Sequence, residues 1–175
     1  MSNAFHPGEL TAQFRFNEDW SEDKSARIAS ILKPALDERM ALFIEGLPFF
    51  FLATADDQGH CDCSFRGTDP TPNGGPASAA RVIDAQTLVF PDYDGNRMFN
   101  SLGNVIANPQ VGLLFIDFAG QTRLRVNGGA EIIESASDDA SIWPQAKRLI
   151  RVEVAQAYWN CSRRIPADPR VRRGA

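Results

Sequence analysis

The sequence predicts a mainly β fold, an antiparallel barrel with helices packed outside it. Three observations carry this. Six or seven short runs are continuously apolar or alternate in polarity, and Gly, Pro, Asp and Asn punctuate them. Only two or three stretches repeat their apolar residues at helical spacing. Helices and strands do not alternate regularly, which argues against a doubly wound parallel sheet. The chain has 175 residues, enough for one well-buried core and short for two. The expected organisation is therefore a single domain over 1–175, with an N-terminal arm (about 1–20) and a C-terminal tail (about 158–175).

Residues 1–20 show no sustained period, so the arm is expected to be extended or partly disordered. Ser21 to Gly46 is helical in pattern, and Pro34 divides a shorter helix (about 22–32) from a second one. In the second, Leu36, Met40, Phe43, Ile44 and Leu47 form one apolar stripe. FFFLAT (49–54) reads as a buried strand, DDQG as a turn and HCDCSFRG (60–67) as the returning strand of a hairpin. The Pro/Gly composition of 68–76 excludes regular structure. Two short strands follow, about 79–84 and 87–91, joined by Asp84-Ala85-Gln86. A helix is expected over 96–107, with Asn96 as N-cap and Met98, Leu102, Val105 and Ile106 buried; Asn108-Pro109 ends it. VGLLFIDF (111–118) has the composition of a central strand. QTRLRVNGGAEII (121–133) alternates, placing Leu124 and Val126 on one face and Arg123, Arg125 and Asn127 on the other. LIRVEVAQA (149–157) gives the last strand, before a tail rich in arginine.

Composition narrows the function. Hydrophobic residues make up 43% and charged residues 23% of the chain, and the net charge of -4 gives no support for general nucleic-acid binding. No apolar run approaches the ~20 residues needed to span a bilayer. There is no basic and apolar leader pattern at the N-terminus, and three cysteines without a secretory feature point to a reduced, cytoplasmic protein. Lys24, Lys33 and Lys147 are the only lysines among 18 basic residues, and Arg suits bidentate recognition of phosphate or carboxylate.

The stretch FPDYDGNRMFN (90–100) is the most informative. A cation at a helix start raises the electrostatic energy of that helix, so Arg97 suggests a negative partner, and a helix N-terminus beside an Arg is an anion site. A capped helix with a solvated Arg97 is the plainer alternative. Arg123 and Arg125 share a strand face, where like charges need acids or a ligand to neutralise them. Ser64, Phe65 and Arg66 close a strand just before the Pro/Gly loop, a junction where function collects. His60, Cys61 and Cys63 lack the second ligand cluster that structural zinc wants, and buried or half-buried thiols are expected instead. There is no P-loop, no GxSxG elbow and no GxGxxG.

The block VFPDYDGNRMFNSLGNVIANPQVGLLFIDF…RLRVNGGAEI, with FHPGELTAQ and AYWNCSRRIP at the two ends, resembles the pyridoxamine 5′-phosphate oxidase-related family of FMN-binding split barrels. The resemblance spans nearly the whole chain. It implies a six-stranded antiparallel split β-barrel forming a homodimer, with FMN in a cleft at the dimer interface and a small-molecule substrate. Asp92, Asn96 and Arg97 match the segment that holds the FMN phosphate. Arg123 and Arg125 match the strand whose polar residues face the flavin. Ser64, Phe65 and Arg66 match the strand end lining the same cleft, and Phe90 and Pro91 would bring backbone groups beside the ring or ribityl chain. Ala77-Ser78-Ala79 stands where vitamin B6 oxidases carry an Arg, and SRRIPADPRVRR lacks their substrate-gripping pattern. The implied function is an FMN-dependent oxidoreductase of a different small molecule. A flavin-binding sensor or carrier, or the same barrel holding F420 or haem, is the alternative.

Overall fold

The computed structural model describes residues 5–16, 21–68, 77–134 and 142–166. Most of the 68–76 loop and the distal tail arginines (Arg170, Arg172, Arg173) lie outside them. The chain divides into two compact units, Met1–Lys33 and Pro34–Ala175.

The first unit holds α1 (Pro7–Phe16) and α2 (Glu22–Ile31). The expected irregular arm is thus corrected to a helix, and its cause is local. The His6 backbone N–H donates to Glu9 Oε2 at 2.9 Å, and His6 Nδ1 accepts from the Gly8 N–H at 3.1 Å. With Pro7 in the first helical position, this is a reciprocal cap built by the residues HPGE. Ser21 caps α2 by accepting from the Lys24 N–H.

The second unit opens with α3 (Glu38–Glu45), capped by Asp37, whose Oδ1 accepts from the Met40 N–H at 2.8 Å. Seven strands follow, with one helix among them: β1 (Phe49–Ala55), β2 (Cys61–Gly67), β3 (Arg81–Asp84), β4 (Thr87–Asp92), α4 (Asn100–Ala107), β5 (Gln110–Asp117), β6 (Thr122–Ile133) and β7 (Arg148–Asn160). All neighbours are antiparallel, in the order β2-β1-β5-β6-β7-β4-β3. The expected count of six becomes seven because β3 pairs with β4 across a tight turn, in which the Gln86 N–H donates to Asp84 Oδ1.

The sheet curls on itself. β1 and β4 have three strands between them in the order, yet the Phe50 and Phe90 rings lie 5.1 Å apart, and Phe50 also meets Phe115 at 5.0 Å. These three rings are fully buried, and Met40, Ile44, Leu113, Leu124 and Val126 surround them. The alternation read from the sequence explains β6: Leu124 and Val126 are buried, while Arg125 faces solvent. β7 runs three residues past the expected end, since Tyr158, Trp159 and Asn160 continue the ladder with Arg125, Leu124 and Arg123.

The helix expected over 96–107 is shorter. Arg97 and Phe99 have left-handed backbones (φ 61 and 56), which non-glycine residues adopt at a cost and which cannot continue an α-helix. Asn96 is not the N-cap; its Oδ1 accepts from the Met98 N–H in a tight turn, and Phe99 holds the cap position. Leu102 and Val105 are buried as expected, with Ser101 beside them, whereas Met98, which precedes the shortened helix, and Ile106 are exposed rather than packed.

Candidate functional site

Curling brings the end of β2 against the end of β4 and the start of α4. Between them lies a cleft of about 370 Å³. Residues 62, 64 and 66 of β2 share the inner face, because side chains alternate along a strand. Asp62, Ser64 and Arg66 therefore line the cleft, together with Asp92, Asn96, Arg97, Ser101 and Arg148.

Asp92 organises the charges. Its side chain is 8% exposed and sits between two guanidiniums: Arg148 Nη1 donates to Oδ2 at 2.7 Å, and Arg66 Nη1 donates to Oδ1 at 3.3 Å. Arg148 stands opposite Asp92 in the β4–β7 ladder and also lies over the Phe99 ring, 5.5 Å from its centroid. The Asp92 carboxylate thus compensates two half-buried cations and fixes where they point. A guanidinium has more N–H donors than these contacts take up, so both retain donors for a ligand.

The start of α4 supplies further donors. No side chain caps it. The first N–H groups of an α-helix have no partner within the helix, and a left-handed residue followed by a helical one turns successive N–H groups into an anion-binding concavity. Phe99 followed by Asn100 is that arrangement. No hydrogen bond or ion pair to the Arg97 side chain is found among the described residues, and it stands exposed at the rim. Three carboxylates (Asp62, Asp92, Asp94) face three arginines (Arg66, Arg97, Arg148) around the cleft, so the preference for an anion comes from directed donors rather than from excess charge.

Six of the ten residues singled out in the sequence meet here: Ser64, Phe65, Arg66, Asp92, Asn96 and Arg97. Phe90 is buried in the core, and Pro91 is buried beside it in β4. Arg123 and Arg125 lie away from this cleft on the outer face of β6. There Arg125 Nη1 donates to the Tyr158 hydroxyl at 3.3 Å, and the buried Arg123 Nε has no hydrogen-bond partner among the described residues. Arg148, Ser101 and Asp62 were not anticipated. A signal existed for Asp62, since DCSFR places Asp62, Ser64 and Arg66 at every second position.

Cys61 and Cys63 are exposed, which corrects the expectation of buried or half-buried thiols: both lie on the outward face of an edge strand, over the small residues Ala55 and Ala53. His60 Nδ1 is 2.8 Å from Asp56 Oδ2, and this hydrogen bond holds the Asp56 carboxyl below its usual range.

Residues 36–168 match the family model described as pyridoxamine 5′-phosphate oxidase. The chain belongs to the pyridoxamine 5′-phosphate oxidase family. Solved structures that share the fold include the following two. The HupZ protein of Group A Streptococcus is 15% identical, over 71% of this chain and 93% of that one, with a TM-score of 0.54. An FMN-binding protein from Syntrophomonas wolfei is 9% identical, over 69% and 83%, with a TM-score of 0.52. No curated protein matches the chain. In this member of the pyridoxamine 5′-phosphate oxidase family, the start of α4, Arg66 and Arg148 line one cleft. Among the described residues no helix is long and apolar enough to cross a membrane.

Proposed function

We propose that this protein binds FMN, with the flavin phosphate seated at the start of α4, and acts as a cytoplasmic oxidoreductase on a small molecule. The observation that carries the reading is the uncapped, left-handed entry into α4 beside Arg66, Arg97 and Arg148. The donor set fits a phosphate: backbone N–H groups and guanidiniums are the groups that bind dianions well. Two strained non-glycine residues in succession around Met98 are also what a ligand-holding loop looks like. The solved FMN-binding protein that shares the fold adds family-level support.

In this reading Arg97 clamps the phosphate from the rim, while Asp92 holds Arg66 and Arg148 in place behind it. When bound, the flavin supplies hydride or electron transfer; the protein supplies position, charge and shelter from water. The Arg97→Ala variant is expected to bind FMN roughly 10- to 100-fold more weakly, the loss of one charge-assisted contact. Its melting temperature should not change, because the side chain is exposed and has no partner among the described residues. Visible absorption and fluorescence titration read the affinity. A colourless wild-type protein that fails to bind FMN would sink the proposal. Bleaching of bound flavin by NAD(P)H, with recovery in air, would mark an enzyme; binding without turnover would mark a carrier.

The working unit in this proposal is a homodimer. Phe49, Phe51, Phe65 and Phe118 cluster on the outer face of the β2-β1-β5 sheet, with Phe49 and Phe65 stacked at 5.2 Å and Phe49 and Phe118 at 6.3 Å. Phe65 is 63% exposed. An aromatic patch on a sheet face is costly to leave in water and suits a second copy. The adjoining Arg123 and Arg125 would then approach the partner's cleft. Sedimentation velocity should give a dimer, and Phe65→Glu should shift it toward monomer; a wild-type monomer would refute the arrangement.

A further inference from the structure

The hydrogen bonds of the cleft wall have a fixed direction. Arg66 Nε can only donate, and it donates to Ser64 Oγ at 3.1 Å. Asp62 can only accept as a carboxylate, and Ser101 Oγ donates to its Oδ2 at 3.1 Å. Ser64 and Ser101 are also 3.1 Å apart, and a hydroxyl has a single hydrogen to give. Since Ser101 has spent its hydrogen on Asp62, Ser64 must donate to Ser101. The chain therefore runs one way, from Arg66 through Ser64 and Ser101 to Asp62.

Its consequence lies in what remains. Both hydroxyls have used their donors internally, and each keeps lone-pair capacity; Asp62 keeps its other oxygen. Toward a ligand, Asp62, Ser64 and Ser101 therefore offer acceptors only. Around them in the same cleft, the backbone N–H groups at the start of α4 and the guanidiniums of Arg66, Arg97 and Arg148 offer donors. A simple phosphate would satisfy these donors and leave the remaining lone pairs of a carboxylate and two hydroxyls facing it without a further donor, which is unfavourable. A ligand that carries hydroxyl groups next to its phosphate satisfies both.

We propose that Asp62, with Ser64 and Ser101, is a hydroxyl-recognition wall that makes the cleft selective for phosphorylated polyols over hydroxyl-free phosphate esters. The proposal rests on the reading of this cleft as a phosphate site, and it assigns Asp62 a specificity-determining role. A ribityl phosphate has this chemistry, and so does a free sugar-alcohol phosphate. Asp62 also carries a negative charge next to an anion site, so it weakens the binding of any phosphate that brings no donor to offset it.

Isothermal titration calorimetry with ribitol 5-phosphate and pentyl phosphate tests the idea without relying on the flavin. The wild type should bind ribitol 5-phosphate about tenfold or more tightly than pentyl phosphate, the worth of one or two hydrogen bonds to a charged group. Asp62→Asn, which keeps the size but removes the charge and an acceptor, should bring the two ligands to within about threefold. Pentyl phosphate should bind the variant at least as tightly as it binds the wild type, and that retained affinity shows the variant is folded and its phosphate contacts are intact. Equal affinities in the wild type, a preference that survives Asp62→Asn, or no binding of either ester would overturn the proposal. FMN titrated in parallel separates the two readings. Failure of FMN alone, with the polyol preference intact, removes the flavin and leaves the wall. Binding of FMN with no polyol preference does the reverse.

Discussion

Asp92→Asn lowers the unfolding free energy of the ligand-free protein by about 3 kcal/mol, the order expected when one partner of a buried ion pair is removed. Asp92 is the only carboxylate found to contact Arg66 and Arg148 among the described residues. With an amide in its place, two guanidiniums 20% and 31% exposed are left near each other without compensation. Their partial exposure keeps the loss at the lower end of the usual range. For a chain of this size the effect is a fall of about 6–12 °C in melting temperature. The same variant should gain more from added phosphate than the wild type gains. Its cleft carries one negative charge fewer, and an anion in the cleft can take over the compensation that Asp92 supplied. Thermal melts of both proteins, with and without phosphate, check the two expectations together. An unchanged melting temperature would mean that solvent already screens the pair. An equal phosphate effect in both proteins would place the anion elsewhere.

What the sequence disclosed and what it concealed divide along a physical line. Strand faces were legible because alternation is a local property: Leu124 and Val126 are buried and Arg125 is not. The apolar stripe of α3 was legible for the same reason, and Met40 and Ile44 are its buried centre. The start of α4 was not legible. Nothing in NRMFNS requires Arg97 and Phe99 to take left-handed conformations; the turn at Asn96 and the contact of Phe99 with Arg148 accompany them, and Arg148 is 49 residues further along the chain.

The candidate site shows the same division. Arg97 was conspicuous because a cation at an apparent helix start is locally unfavourable. Arg148 was hidden, since as a polar residue at the edge of an apolar run it marks only a strand boundary. Its role appears once β4 and β7 are paired and Asp92 falls opposite it. Ser101 was not anticipated because a small polar residue does not register in an apolar stripe, although it lies three residues after Met98 and four before Val105. The cap of α1 is a different case. HPGE was available in the sequence, but a histidine is an unusual cap and the helix it starts has no buried residue to give it a period.

Gly128→Ala should be at least as damaging as Asp92→Asn, and the reason is a backbone contact. The β6–β7 ladder shifts register between Asn127 and Gly128. At this bulge the strands approach so closely that a Cβ on Gly128 would lie 2.0 Å from the Glu153 carbonyl oxygen and 2.9 Å from its carbon. A flexible side chain could swing away, but a carbonyl inside a ladder cannot, so β6 and β7 would have to separate. Overpacking usually costs about 1–3 kcal/mol, and a clash with backbone belongs at or above the top of that range. Gly129 provides an internal control, for a Cβ there meets nothing within 4 Å. Gly129→Ala should therefore stay within about 1 kcal/mol of the wild type. The difference reaches the cleft as well. β7 runs from Arg148 through Glu153, so moving Glu153 away from β6 shifts the strand that delivers Arg148 to Asp92. Gly128→Ala is expected to lose stability and anion affinity together, whereas Gly129→Ala should keep both. If the two variants melt at the same temperature, the close approach at the bulge does not set the spacing of β6 and β7, and the position of Arg148 must be fixed by its pairing with β4 alone.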